Sequence, residues 1–292
     1  MLTRRPWIAL SFALPALLLY SLVVIYPLIS GGYLSLTNSS GGPISSFIGF
    51  ENYQRLFADP RVWDALRNTL VYAVVVVIFQ NLFGLLFARA LYYRPRIRRV
   101  VIVLILLPTL VASVMAAFIF SYIFAPDGAL NQLLDVLGLG FLQRIWLGDP
   151  STALYAIAAV NVWGFAGYSG IIFLAGYVGI DKEVLDAAQI DGATGFRQFA
   201  HIEWPLITPA LTVNLALNVI GALRVFELPL VMTKGGPNNS TTTLNMLIYT
   251  DLFGGRGGFA YATAIAFFSL AIVVIITVVM TTLLRARERR MS

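Results

Sequence analysis

The residues best placed to do chemistry lie in one polar stretch between two apolar runs. It reads Asp186-Ala187-Ala188-Gln189-Ile190-Asp191-Gly192-Ala193 and continues to Phe199, Ile202 and Pro205. Residues 181–203 carry seven charges and the chain's single histidine, whereas 152–176 and 206–223 hold no Asp, Glu, Lys or Arg. Asp186 and Asp191, five apart beside a glycine, do not form the facing carboxylate pair of a glycosidase. His201 without any cysteine gives no zinc set. No Gly-x-x-x-x-Gly-Lys-Ser/Thr run occurs, so the chain does not itself cradle ATP in that way. No residue is assigned to catalysis. The pattern suits recognition instead. Lys182 to Ile190 holds good helix formers, Gly192 interrupts, and Gly195 to Glu203 resumes with Phe196, Phe199 and Ile202 three apart along one face. Pro205 suits the first turn of the helix that follows. A stretch this polar cannot sit in hydrocarbon, where each unpaired polar group costs several kcal/mol. Two short helices joined by a glycine elbow and held against a membrane form a docking surface.

This stretch is flanked by segments that read as membrane spans. Of 292 residues, 59% are hydrophobic and 12% charged, and mean hydropathy is +0.81. Soluble domains carry about 25% charge, so the composition excludes an ordinary globular protein. A net charge of +6 would suggest nucleic acid in a soluble chain, but here the basic residues cluster beside apolar runs and set orientation. Six runs can cross about 30 Å of hydrocarbon: 8–30, 68–88, 100–124, 152–176, 205–225 and 260–284. Thr3-Arg4-Arg5 before the first run resembles the start of a twin-arginine signal, but the run exceeds a signal core and no small-residue cleavage site follows, so an uncleaved span is expected. With the N-terminus inside, thirteen Lys and Arg fall on the cytoplasmic side, among them Arg89, Arg197, Arg287, Arg289 and Arg290; seven, among them Arg61, Arg224 and Arg256, fall outside. Both termini and the Asp186 loop are therefore expected to face the cytoplasm. The expected organisation is an N-terminal segment with the first span and outer loop (1–67), a five-span core with the cytoplasmic loop 181–205 (68–284), and a basic tail (285–292).

The outer loops carry turn signals: Gly41-Gly42-Pro43, Pro126-Asp127-Gly128, and Thr233 through Thr241 with Gly235-Gly236-Pro237. Phe50-Glu51-Asn52-Tyr53 leads into an amphipathic helix, and Arg61, Trp63 and Arg67 are placed to anchor a span at the interface. The stretch 130–142 is too short and too punctuated by glycine to span. Within the spans the polar groups are neutral: Asn161, Trp163, Tyr168 and Ser169 in the fourth, Asn214 and Asn218 in the fifth. Aromatic faces with amides and hydroxyls suit an uncharged polyhydroxylated ligand; the same residue types also bind helices to one another. No Asp, Glu or Lys stands in the middle of a span, so the coupling-ion site of a secondary carrier is lacking and the energy source is expected on another chain.

From Asp186 to Pro205 the chain resembles the EAA loop of binding-protein-dependent ABC importer permeases, with E-A-A, D-G-A and then F, I and P at fixed spacing. Asp186 stands for the usual Glu, and Trp204 for the usual Leu. The segments Phe50-Glu51-Asn52-Tyr53, Asn68-Thr69, Leu107-Pro108, Pro126 with Gly128, and Thr233–Thr241 extend the resemblance over essentially the whole chain, to the carbohydrate-type subclass that contains the maltose and glycerol-phosphate importers. The resemblance implies an all-α membrane protein of six transmembrane helices with type I importer architecture. It implies an ATPase-coupling set of Asp186, Ala187, Ala188, Asp191, Gly192, Ala193, Phe196, Phe199, Ile202 and Pro205. The implied solute path is Asn161, Trp163, Phe165 and Tyr168 on the fourth span and Asn214, Asn218, Gly221, Ala222 and Val225 on the fifth. Ala222 and Val225 replace amide-bearing positions, so the maltose contact pattern is not retained. Gly235, Gly236, Pro237 and Asn238 would face an extracytoplasmic solute-binding protein. The further implied partners are two ATPase subunits carrying ATP and Mg, a second homologous permease, membrane lipid and a carbohydrate; neither nucleic acid nor a cofactor of this chain is implied. The implied location is a bacterial or archaeal cytoplasmic (inner) membrane, as a multi-pass protein. An importer for another solute, such as glycerol-phosphate, and an ion-coupled carrier are the alternatives.

Overall fold

The computed structural model describes the backbone of residues 6–42, 45–254 and 258–291, and their side chains except for 6–11 and 287–291. Arg4, Arg5, Pro43 and Arg256, used above in the charge count and one turn, lie outside the described residues, as do the side chains of Arg287, Arg289 and Arg290. Among the described residues the regular secondary structure is helical, joined by turns and loops, with one isolated antiparallel bridge between Thr37 and Phe47. In chain order, α1 (Pro6–Tyr20) passes through a π turn at Ser21–Ile25 into α2 (Tyr26–Leu34). Then come α3 (Glu51–Ala58), α4 (Pro60–Tyr92), α5 (Arg98–Leu106), α6 (Ser113–Ile123), α7 (Ala129–Val136) and α8 (Ala153–Val178). The polar stretch forms α9 (Lys182–Ile190), α10 (Gly195–Gln198), a π turn (Phe199–Glu203) and the single turn α11 (Trp204–Leu206). The chain ends with α12 (Thr208–Leu223), α13 (Glu227–Met232), α14 (Leu244–Phe253) and α15 (Phe259–Met291).

Among the described residues five stretches are long and apolar enough to cross a membrane, and a sixth is so only as a bent pair. The 100–124 run, expected as one span, turns by 92° between α5 and α6. Pro108 stands in the first turn of a short 3-10 segment, Leu107–Leu110, where it removes one backbone donor and crowds the preceding turn. Val111 and Ala112 then adopt extended backbone, which completes the break. The expected position of Pro205 is refined too. It sits in α11, and the membrane helix α12 starts at Thr208 with Pro209 in its own first turn.

The chain divides into two units. One comprises residues up to Val62 with Leu247–Leu270. In it the Asn52 amide donates to the carbonyls of Ser35 and Thr37 (both 2.8 Å). Arg61 is clasped between Asp59 (2.7 Å) and the buried Asp251 (3.1 Å). Tyr261 donates to Asp59 at 2.8 Å, and the Arg55 guanidinium lies 4.1 Å over the Tyr261 ring. Burial would raise the Asp59 carboxyl, but hydrogen bonds from Arg61 and Tyr261 outweigh it and hold that group below the usual carboxylate range.

The other unit comprises Trp63–Met246 with residues from Ala271 onward. Its helices approach through small residues, as membrane helices do in the absence of a hydrophobic drive between them. A Cβ at Gly84 of α4 would meet the Ser169 Cβ of α8 at 2.8 Å, and one at Gly176 of α8 would meet the Ala210 Cβ of α12 at 2.8 Å. Gly167 of α8 lies against the Ile105 carbonyl of α5. The Thr109 hydroxyl donates to the Gly164 carbonyl at 2.8 Å, which pins the bent pair to α8. One apolar cluster gathers Tyr72, Val76, Ile157, Val219 and Leu223; a second gathers Leu91, Phe173, Tyr177, Leu185 and Ile207.

Candidate functional site

A cleft of about 350 Å³ opens between α4, α8 and the α12–α13 region. Asn161, Phe165, Tyr168, Asn218, Gly221, Ala222 and Val225, all named from the sequence, line it together. Trp163 and Asn214 do not. Trp163 packs on Phe120 (ring centroids 5.0 Å apart) and borders a separate apolar cleft of about 610 Å³. Asn214 is fully buried and donates to the Ser169 carbonyl at 3.0 Å, so it binds α12 to α8. Gln80, which no sequence pattern singled out, lines the cleft from α4. Its amide donates to the Asn218 side-chain oxygen (2.9 Å) and to the Ser169 hydroxyl (3.2 Å), and Asn218 in turn donates to Ser169 (3.1 Å). A single polar knot thus joins α4, α8 and α12 at the cleft wall. The usable signal was an amide pair, Gln80-Asn81, in the middle of an apolar run, where a polar group needs a reason. Arg224 and Glu227 also line the cleft, and neither is in an ion pair among the described residues.

The polar stretch forms α9 for local reasons. The Asp181 carboxylate caps it by accepting from the Glu183 amide at 3.1 Å. It ends in paired C-terminal bonds, Ala193 N–H to Ala188 O (2.8 Å) and Gly192 N–H to Gln189 O (3.1 Å). Gly192 therefore occupies the left-handed position with φ +75°, and Gly195 follows at φ +60°. The elbow is a hydrogen-bonded stop rather than a slack link. Asp186, Ala187, Asp191 and Gly192 are exposed, Ala193 is half-buried, and Ala188 is buried. Phe196 and Phe199 keep a ring contact (centroids 6.2 Å apart), but the trio differs in burial. Phe196 is 81% exposed, while Phe199 and Ile202 are half-buried. Phe199 packs against Trp204 (6.0 Å) with the Arg89 guanidinium 5.3 Å from its ring, and Ile202 and Trp204 pack on the second apolar cluster, as half-buried Pro205 begins α11. Ile190, unremarked in the sequence, is 87% exposed.

Glu203 is the residue most unlike its sequence reading. Counted there as one loop charge, it is completely buried. Its carboxylate accepts from Arg89 Nε (2.9 Å), Tyr93 Oη (2.7 Å) and Tyr177 Oη (3.0 Å). Burial and the adjacent carboxylate push the Tyr93 hydroxyl well above its ordinary range. At the Gly235 turn, Lys234, Gly235, Asn238 and Asn239 all have positive φ. Gly235 is buried, since a Cβ there would meet the Thr242 hydroxyl at 2.5 Å; Gly236 and Pro237 are half-buried, and Asn238 is exposed. The Asn68 amide donates to the carbonyls of Asn239 (3.0 Å) and Thr242 (3.1 Å), and the Thr69 hydroxyl accepts from the Leu244 amide (2.9 Å). The Asn68-Thr69 pair thus fixes this loop to α4. Among the described residues no group of three metal-ligating side chains occurs.

Long apolar helices around a polar-walled cleft, with an exposed two-helix segment at the Glu203 end, define the membrane-embedded subunit of a transporter. The chain belongs to the family described as binding-protein-dependent transport system inner membrane component, whose pattern matches residues 80–292. It is 34% identical over 289 residues to a probable ABC transporter permease protein, YurN, of Bacillus subtilis, covering 96% of each chain. It is 31% identical to the lactose transport system permease protein LacF of Rhizobium radiobacter, covering 96% of this chain and 94% of that one. Among solved structures it matches a bacterial ABC transporter involved in the import of the acidic polysaccharide alginate, with TM-score 0.82 and 25% identity over 97% of this chain and 96% of that one. The protein is accordingly a multi-pass permease subunit of an ABC importer, a transport component rather than an enzyme.

Proposed function

We propose that this chain passes a sugar or oligosaccharide through the 350 Å³ cleft by alternating access, after delivery by an extracytoplasmic binding protein. The observation that carries the reading is the cleft wall. Gln80, Asn161 and Asn218 offer amides, and Phe165 and Tyr168 offer ring faces, the pairing that suits hydroxyls above and C–H faces below. Both termini and α9–α10 face the cytoplasm in this reading, as the Lys and Arg asymmetry requires. Two ATPase subunits bind ATP and Mg. Asp186, Ala187, Asp191, Gly192 and Phe196 present the exposed surface to one of them, while Ala188, Phe199 and Ile202 hold that surface in place. A second homologous permease completes the pore. On the outer side Asn238 and its neighbours receive the binding protein, with Gly235 shaping the turn from within.

A second reading, an anionic solute, is favoured by Arg224 on the cleft wall; Glu227 on the same wall offsets it. The test is purification of this chain from its native membrane, identification of co-purifying chains by mass spectrometry, and ATPase assay with neutral and anionic oligosaccharides. Recovery of a phosphate-loop ATPase and stimulation by neutral sugars supports the proposal. A lone stable chain whose uptake follows an ion gradient overturns it, and stimulation by anionic sugars alone selects the second reading.

A further inference from the structure

Resting on the docking role proposed for α9–α10, we infer that Glu203 is a positioning residue: it joins the coupling stretch to α4 and α8 so that both helices move with it. Three elements meet on this one carboxylate. Arg89 and Tyr93 come from the end of α4 and the residue beyond it, Tyr177 from α8, and Glu203 from the π turn that follows α10. A second Arg89 nitrogen reaches the Gly195 carbonyl at 3.3 Å, and Gln198 donates to the Tyr93 hydroxyl at 3.2 Å, so α10 is held at both ends.

The chemistry favours a joint over mere packing. A carboxylate at zero exposure is a costly way to fill space, and well-packed apolar residues generally do so at lower cost. Charge-assisted bonds of 2.7–3.0 Å to a guanidinium and two hydroxyls supply direction, which apolar contact does not. The two helices are also prevented from sliding past one another. Gly84 of α4 sits against the Ser169–Gly170 backbone of α8, with a built Cβ 2.8 Å from the Ser169 Cβ and 3.0 Å from the Gly170 nitrogen.

Further along the same helices lies the cleft knot. Gln80 precedes Arg89 by nine residues on α4, about 13 Å of rise, and Ser169 precedes Tyr177 by eight on α8, about 12 Å. Gln80 and Ser169 hold Asn218 on the cleft wall. Two polar knots, one level with the coupling stretch and one at the cleft, therefore bind the same helix pair. A displacement of α9–α10 reaches Asn218 through that pair only if the Glu203 knot stays closed.

The experiment uses the complete transporter with its co-purifying subunits and binding protein in proteoliposomes, reading solute moved per ATP hydrolysed, ATPase retention and melting temperature. The variants are Glu203→Gln, Arg89→Gln and the double substitution. In the single variants one partner loses its counter-charge, so melting falls; in the double variant no uncompensated charge remains and melting recovers. The expected result is retained ATPase in all three and transport per ATP reduced roughly tenfold, a typical coupling between sites, in the double variant as well. Transport per ATP that recovers together with melting, or that is unchanged in Glu203→Gln, would overturn the joint while leaving the docking role intact. Wild-type chain recovered without any ATPase would instead overturn the docking role, and the joint with it.

Discussion

Substitution of Gly192 by aspartate separates the chain's own stability from the docking role proposed for α9–α10, because the structure makes the two costs very different. Within the chain the cost is small. Gly192 has φ +75°, and a Cβ built there meets nothing within 4 Å. The left-handed backbone costs an ordinary L-residue about 1–2 kcal/mol, and Asp, which visits it more readily, sits at the low end. A loss of about 1 kcal/mol moves a melting point by roughly 2–4 °C in a chain of this class of size. At a partner surface the cost is large. Gly192 is exposed beside Asp191 and the end of α9, so an aspartate side chain adds a second negative charge there. Carried unpaired into a desolvated contact, such a charge costs about 3–5 kcal/mol, or two to three and a half orders of magnitude in association. The variant should insert, melt within a few degrees of wild type and lose both ATPase retention and solute uptake. Gly192→Asn, with similar backbone tolerance and no charge, should lose much less. Normal uptake by Gly192→Asp would refute the docking role; equal loss in both variants would refute the electrostatic reasoning.

Gln80→Leu removes the donor that holds Asn218 and leaves a buried acceptor short of a partner, a change of about 1–3 kcal/mol. It should raise the half-saturating solute concentration or lower transport several-fold while leaving ATPase retention unchanged, as titrated uptake would reveal. Gly167→Val drives side-chain atoms into the Ile105 carbonyl and should cost more than the 1–3 kcal/mol typical of overpacking, visible as loss of folded protein in detergent. Asp59 is held below its ordinary range when folded, so its clasp contributes stability that is present above the unfolded value near pH 4 and lost as pH falls through the lower folded one. Hydrogen exchange around residues 59–61 should therefore accelerate on acidification in wild type and be insensitive to pH, beyond the intrinsic exchange rate, in Asp59→Asn.

The helical membrane class, five of the spans and the place of the polar stretch could be read from residue order alone, because these depend on local composition. Apolar runs of membrane length and the interruption at Gly192 are properties of neighbouring residues and were legible; the cap at Asp181 and the left-handed backbone at Gly192 are equally local but went unread. So was most of the cleft wall, through the resemblance of α8 and α12 to known permeases. The remaining features depend on pairs distant in the chain. The break at Pro108 reads as an apolar run until the backbone turns. The ion pair of Arg61 with Asp251, 190 residues away, leaves no mark on the local sequence. Asn214 and Asn218 share a residue type and a helix, yet one is turned to α8 as glue and the other to the cleft. Glu203 looked like one more solvated loop charge because the residues that desolvate and satisfy it, Arg89, Tyr93 and Tyr177, lie 26 to 114 positions earlier. Periodicity records which face of a helix is apolar; it does not record which distant side chain that face will meet, and the burial of a charge is set by that meeting.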